Sequence, residues 1–331
     1  MSRNILLAVV LLVATASAAW AGAPVLLKFN HIVASDTPKG QAALQFKALA
    51  EKYTGGRVKV EVYPNSQLYS DGEELQALQS GAVQMLAPSL AKLGALGMKE
   101  FEVFDLPYMF PNMQALYAVT EGPVGKAMLQ KLEAKGIVGL GFWDNGFKLM
   151  SANRPLRLPA DFKGLKMRVQ ASRVLEAQMR ALGAEPELLA FSEIYRALRS
   201  GAIDGAENAP SNLYTQKFYE VQPHVTVSSH GYLGYAVLVN KKFWDGLAPD
   251  LRAQLERAMQ DATRFEKAIA QRDNELALQA VRVSGKTTVH TLTPAEHAAW
   301  RAALLPLQTS MQERIGKQLV QDVMRATAAY R

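Results

Sequence analysis

Gly164 to Gln170 reads GLKMRVQ, an alternation that sends Leu165, Met167 and Val169 to one face of an extended strand and Lys166, Arg168 and Gln170 to the other. An arginine held mid-strand is a candidate anion clamp. Its planar guanidinium donates two parallel charge-assisted bonds to a carboxylate, a geometry that lysine does not copy. The structural alternative is a surface arginine paired with an Asp or Glu, which contributes little. Further polar residues stand at the ends of apolar strands, where open α/β sheets place ligands: His31, Ser89, Lys148 and Asn208.

Each of these has an ordinary structural use as well. Asn208 suits the turn before Pro210, Lys148 a solvated strand end, and Ser89 a loop. His31 follows the first strand, which favours the cleft. His230 reads as a group that orients a water or another side chain rather than touching ligand. Phe191 and Tyr235 read first as core aromatics, with the Tyr235 phenol as a secondary donor.

Catalysis has no visible motif. There is no G-x-S-x-G and no H-E-x-x-H among the five histidines, and no metal or cofactor is implied. Ser284 to Thr287 (SGKT) echoes a phosphate loop, but the glycine that motif needs five positions before Gly285 is Ala280. Glu73 and Glu74 are adjacent in a first helical turn, where they suit the dipole and do not converge as an acid/base pair.

The elements that must position these residues follow from patterning. At 331 residues, two lobes are the natural prior, and 49% hydrophobic with 20% charged content describes an ordinary globular chain. Arg3, the apolar run Ile5 to Val13 and the small residues ending Ala19-Trp20-Ala21 predict a signal peptide over 1–21, too short in its apolar run to span a membrane. With no cysteine there is neither a disulfide nor a lipid-modified thiol, so the mature chain is expected free in the periplasm. The formal charge of +7 is spread without blocks, which fits a protein that meets anions better than one that binds nucleic acid.

Val25 to Phe29 and Arg57 to Tyr63 read as strands around a helix entered at Thr37-Pro38 and stopped by Gly55 and Gly56, a β-α-β opening. The chain also resembles itself: EELQALQSGAV (Glu73 to Val83) recurs as EIYRALRSGAI (Glu193 to Ile203). Asp71 and Ser192 are the expected N-caps of these two helices, and Gly81 and Gly201 their left-handed ends. By the same offset Asn208 is the counterpart of Pro88, and a cleft between two similar α/β lobes gathers both strand ends. Asp144-Asn145-Gly146 suggests one crossing between lobes, and His230 to Asn240 a return. From Pro249 to Val283 an uninterrupted helical stripe is long enough to span both lobes, and a last helix starts at Thr293-Pro294 with Glu296 closing a capping box. The expected division is 24–146 with 234–273 as lobe I, and 147–233 with 274–331 as lobe II.

Four segments together carry a family resemblance: DFKGLKMRVQ (Asp161 to Gln170), ALGAEP (Ala181 to Pro186), FSEIYRALRSGAIDGAENAP (Phe191 to Pro210) and HGYLGYAVLVNKKFW (His230 to Trp244). They resemble the extracytoplasmic solute receptors of tripartite ATP-independent periplasmic (TRAP) transporters, the DctP family. The resemblance implies a two-lobed periplasmic-binding-protein-like fold with hinge strands and a long helix, closing on its ligand and delivering it to small and large membrane subunits. It implies a non-enzyme without cofactor. The family's carboxylate-clamping arginine falls on Arg168 and the supporting asparagine on Asn208; an aromatic at Phe191 lies against ligand. WDNGFK (Trp143 to Lys148), FNHIVASDTPKG (Phe29 to Gly40) and HGYLGY are similar to the four-carbon dicarboxylate branch. Where many relatives carry arginine this chain has Lys148, a cation without a fork, expected at the second carboxylate. Another organic acid, a secreted enzyme on an anionic substrate, and presentation of ligand to a membrane sensor kinase are the remaining alternatives.

Overall fold

The computed structural model describes residues 23–330, so the leader expected over 1–21 lies outside the described residues. Its strands sort into two sheets. The first contains β1 (Val25–Asn30), β2 (Val58–Tyr63), β3 (Met85–Leu86), β4 (Ile137–Phe147) and β10 (Tyr232–Asn240), in the order β2-β1-β3-β10-β4. The second contains β5 (Leu149–Ala152), β6 (Lys166–Val169), β7 (Glu185–Leu188), β8 (Gly205–Asn208), β9 (His224–Val227) and β11 (Thr288–Thr291), in the order β11-β9-β5-β8-β6-β7.

Set side by side, the five strands of the first sheet match five of the six in the second, with β11 additional. β1 pairs in parallel with β2 and β3, as β6 does with β7 and β8. β10 runs antiparallel to β3, as β5 does to β8. In each sheet that antiparallel strand arrives from the other lobe, so the lobes exchange strands at two crossings. Between β4 and β5 only Lys148 intervenes; between β9 and β10 lie Ser228 to Gly231.

The crossover helices match as well. α1 (Pro38–Tyr53) starts at Thr37, whose hydroxyl accepts from the Gly40 amide, with Pro38 at the first turn. α2 (Glu74–Ser80) and α6 (Ile194–Ser200) end at Gly81 and Gly201, with φ of 80° and 73°, in the left-handed conformation that glycine adopts without a Cβ penalty. Their N-termini differ from the expected pattern. Glu73 and Glu193 occupy the cap positions with helical dihedrals and no side-chain cap; at α2 the carboxylate of Asp71 is used elsewhere.

α9 (Pro249–Val283) is a third connection, packing on α1 and β4 of the first lobe and on α7 (Pro210–Thr215) and β11 of the second. The last helix is capped as expected, Thr293 and Glu296 closing a capping box, but it breaks at Pro306 and Gly316. α10 (Pro294–Leu304) and its Trp300 pack on α5 (Arg173–Ala181). The expected placement of all of 274–331 on lobe II is not what the packing gives. α12 (Gln312–Ile315) and α13 (Lys317–Thr327) return to α3 (Met113–Thr120), α4 (Pro123–Lys131) and the turn at Lys99–Asp105. The reason is an apolar stripe: Ile315, Val320 and Val323 complete a first-lobe core with Leu116, Val119 and Met128.

Candidate ligand cleft between the lobes

β6 and β3 end at the same gap from opposite sides. Met167 and Val169 fill the second-lobe core, so the alternation that buries them turns Arg168 to the gap, where it too is 2% exposed. Its Nε donates to the Leu189 carbonyl at 3.0 Å, and its Nη2 stands 4.0 Å from the Asp71 carboxylate. No other hydrogen bond engages the guanidinium among the described residues. Burial lowers its pKa to about 10, so it stays charged at neutral pH. With Asp71, Lys92 and Gln170 it borders a cavity of about 170 Å3.

Gln170 reaches across from the end of β6 to donate to the Ser89 hydroxyl at 3.0 Å, and Ser89 bridges the backbone of Tyr235. The Tyr235 hydroxyl is buried and, among the described residues, lies in hydrogen-bond geometry with no partner. His31, just past β1, is fully buried, and among the described residues neither ring nitrogen lies in hydrogen-bond geometry with a partner. Burial, reinforced by the nearby Lys39 charge, pushes its pKa down to about 3, so the ring is neutral and carries one donor and one acceptor. The Asn208 side-chain oxygen accepts from the Ala209 amide at 3.0 Å and from Asn212 at 2.9 Å, while its amide group makes no hydrogen bond within the described residues.

Lys39 was not among the residues singled out by pattern. It occupies the second position of α1, is 1% exposed, donates to the Ala87 carbonyl at 3.0 Å and lies 3.8 Å above the Tyr235 ring. No carboxylate is within ion-pair distance among the described residues, and burial lowers its pKa to about 7. A signal for it existed. A lysine in the first turn of a helix opposes the macrodipole, so its presence there asks for another reason. Asp71 and Lys92 were missed too. Asp71 accepts from the Phe191 amide of the opposite lobe at 3.1 Å, and Lys92 lies 3.4 Å from Asp71 and 3.0 Å from Glu74.

Lys148 and His230 share one buried acid, Glu207. The Lys148 ammonium is 2.6 Å from one oxygen of Glu207, whose other oxygen meets His230 Nε2 at 2.9 Å and Gln178 at 2.9 Å. Burial raises the Glu207 pKa, but Lys148 and His230 outweigh it and hold the carboxyl far below its usual range. Lys148 therefore has a full counterion and ties the crossing to β8, while His230, held also by Ser228, orients Glu207. Phe191 packs its ring on Phe218 within an apolar cluster and offers its amide, not its ring, to the gap.

Arg168 and Lys39 are thus two buried cations, and among the described residues neither has an ion pair closer than the 4.0 Å between Arg168 and Asp71. Among the described residues no three His, Cys, Asp or Glu gather as a metal site.

Residues 29–315 match the family of bacterial extracellular solute-binding proteins, family 7. The C4-dicarboxylate-binding periplasmic protein DctP of Rhodobacter capsulatus is 62% identical over 92% of both chains. Among solved structures, a TRAP periplasmic solute-binding protein of Shewanella oneidensis with bound succinate superposes with a TM-score of 0.90 at 43% identity, covering 92% of this chain and all of that one. A counterpart from Pseudomonas aeruginosa with bound L-malate gives 0.85 at 41% identity over 87% and 100%.

Proposed function

The chain belongs to the bacterial extracellular solute-binding protein family 7, and we propose that it is the periplasmic receptor of a TRAP transporter for a four-carbon dicarboxylate of the succinate, malate or fumarate type. One observation carries this reading. Arg168, which borders the cleft cavity, and Lys39, which reaches the Ala87 carbonyl just past β3, are both buried, and among the described residues neither has a carboxylate within 4.0 Å other than Asp71 at that limit. An uncompensated buried charge is costly, and a ligand with a carboxylate at each end offsets both.

Arg168 grips one carboxylate, with the Asn208 amide and Ser89 beside it. Lys39, His31 and Tyr235 take the other. This assigns to Lys39 the second-carboxylate role that the sequence pattern offers to Lys148, whose charge Glu207 already neutralises. Closing the lobes removes the carboxylates from water and strengthens both contacts. Ligand then passes unchanged to small and large membrane subunits, and a sensor kinase is a second recipient to be tested by its genetic neighbourhood.

A thermal-shift panel on residues 22–331 tests the reading, because a ligand that binds only the folded state raises the melting temperature. Succinate, malate or fumarate should raise it, and butyrate should not. A rise with monocarboxylates or sugar acids alone would keep the receptor and discard the dicarboxylate.

A further inference from the structure

Where both crossings meet α10, a second cavity of about 470 Å3 shares no lining residue with the Arg168 cavity. Its walls are Tyr108, Phe110, Pro111, Phe147 and Leu305, with Arg301 and His297 at one side and Ser229 at another. The volume lies within the range of about 300–1,000 Å3 usual for small-molecule sites.

Four observations converge on it. The Arg301 guanidinium has no acid or hydrogen-bond partner among the described residues and lies 5.0 Å over the Tyr108 ring. The His297 ring meets the same ring edge-on at 5.2 Å. The Tyr108 hydroxyl is buried without a partner among the described residues. Tyr108 and Ser229 both hold positive φ, 54° and 43°, the left-handed region that favours glycine, and such backbone gathers at ligand sites. The Tyr108 amide is pinned to the His230 carbonyl at 2.9 Å, so the shape of the pocket is tied to the second crossing.

We propose that this cavity is a second ligand site, separate from the cleft, for a small aromatic monocarboxylate. One unpaired guanidinium takes one carboxylate, bidentately, with the Tyr108 hydroxyl and His297 as additional donors. Phe110, Phe147 and Pro111 take an apolar ring. The single cation distinguishes it from the cleft, which holds two.

The test is saturation-transfer NMR with benzoate as probe and benzyl alcohol as its neutral control. It uses wild type saturated with succinate, Arg168→Ala, Arg301→Gln and the cavity-filling Leu305→Trp. Arg168→Ala disables the cleft whichever acid it takes, so the result does not depend on the dicarboxylate reading. Benzoate should bind wild type and Arg168→Ala alike, and at least tenfold more weakly to Arg301→Gln and Leu305→Trp, whose melting temperatures report that they fold. Benzyl alcohol should bind more weakly than benzoate. Equal binding to Arg301→Gln, loss in Arg168→Ala, or no saturable binding to wild type would each overturn the proposal.

Discussion

Arg168→Lys keeps the positive charge of β6 and removes the fork. Two charge-assisted bonds at about 1.5 kcal/mol each correspond to roughly a hundredfold in affinity. Titration calorimetry should therefore show succinate binding weakened by about that factor with the melting temperature nearly unchanged. Undiminished affinity would remove Arg168 from the clamp. Lys39→Met separates stability from binding. It replaces a buried ammonium by an apolar chain of similar length, so the ligand-free protein should melt at the same or a higher temperature while the preference for succinate over butyrate collapses. A preserved preference would return the second carboxylate to another partner. Lys39 also sets a pH dependence. With its pKa lowered to about 7 in the free cleft, it is charged below that pH, and a bound carboxylate favours the charged form and raises the pKa. Binding then takes up a proton above pH 7. Affinity should fall from pH 7 to 9, read by calorimetry in buffers of different ionisation enthalpy; proton release on binding in that range would contradict this. Arg168 was legible because its strand alternates cleanly. Lys39 was not, since its depth depends on Tyr235 and Ala87, which come from distant parts of the chain.

At the scale of elements, local chemistry spoke clearly. Thr37-Pro38, Thr293-Pro294 with Glu296, and Gly81 and Gly201 mark helix ends where the structure has them, because caps and left-handed ends are satisfied within a few residues. Gly201→Ala should cost about 1 kcal/mol by denaturant unfolding, since no atom crowds an added Cβ there and the φ of 73° alone opposes it. A neutral result would mean that the turn relaxes. What misled was Asp71. It stands where a cap belongs, yet its best donors are the Phe191 amide and Lys92, a choice set by the facing lobe. The crossing at Asp144-Asn145-Gly146 reads as a turn but continues β4, because Tyr117 and Tyr232 satisfy the Asp144 carboxylate and Asn212 the Asn145 amide oxygen.

At the scale of the molecule, a repeat of eleven residues pointed to two sheets with matching strand order, each completed by a strand from the other. That exchange makes the crossings the natural pivots, with α9 laid along both lobes. Gln170 to Ser89 and Phe191 to Asp71 bridge the lobes across the cleft, and a bound ligand adds contacts to both sides. Succinate should therefore reduce the radius of gyration in small-angle scattering, and an unchanged radius would place ligand binding within one lobe. The return of α12 and α13 to the first lobe was not legible, since an amphipathic stripe announces that it will be covered without saying by what.

The most direct test of the central claim is calorimetric titration of residues 22–331 with succinate and with butyrate under the same buffer. Two cationic contacts require that succinate bind with a one-to-one stoichiometry and at least a hundredfold more tightly than its one-ended analogue. Equal affinities, or heat from neither acid, would contradict a cleft built for two carboxylates.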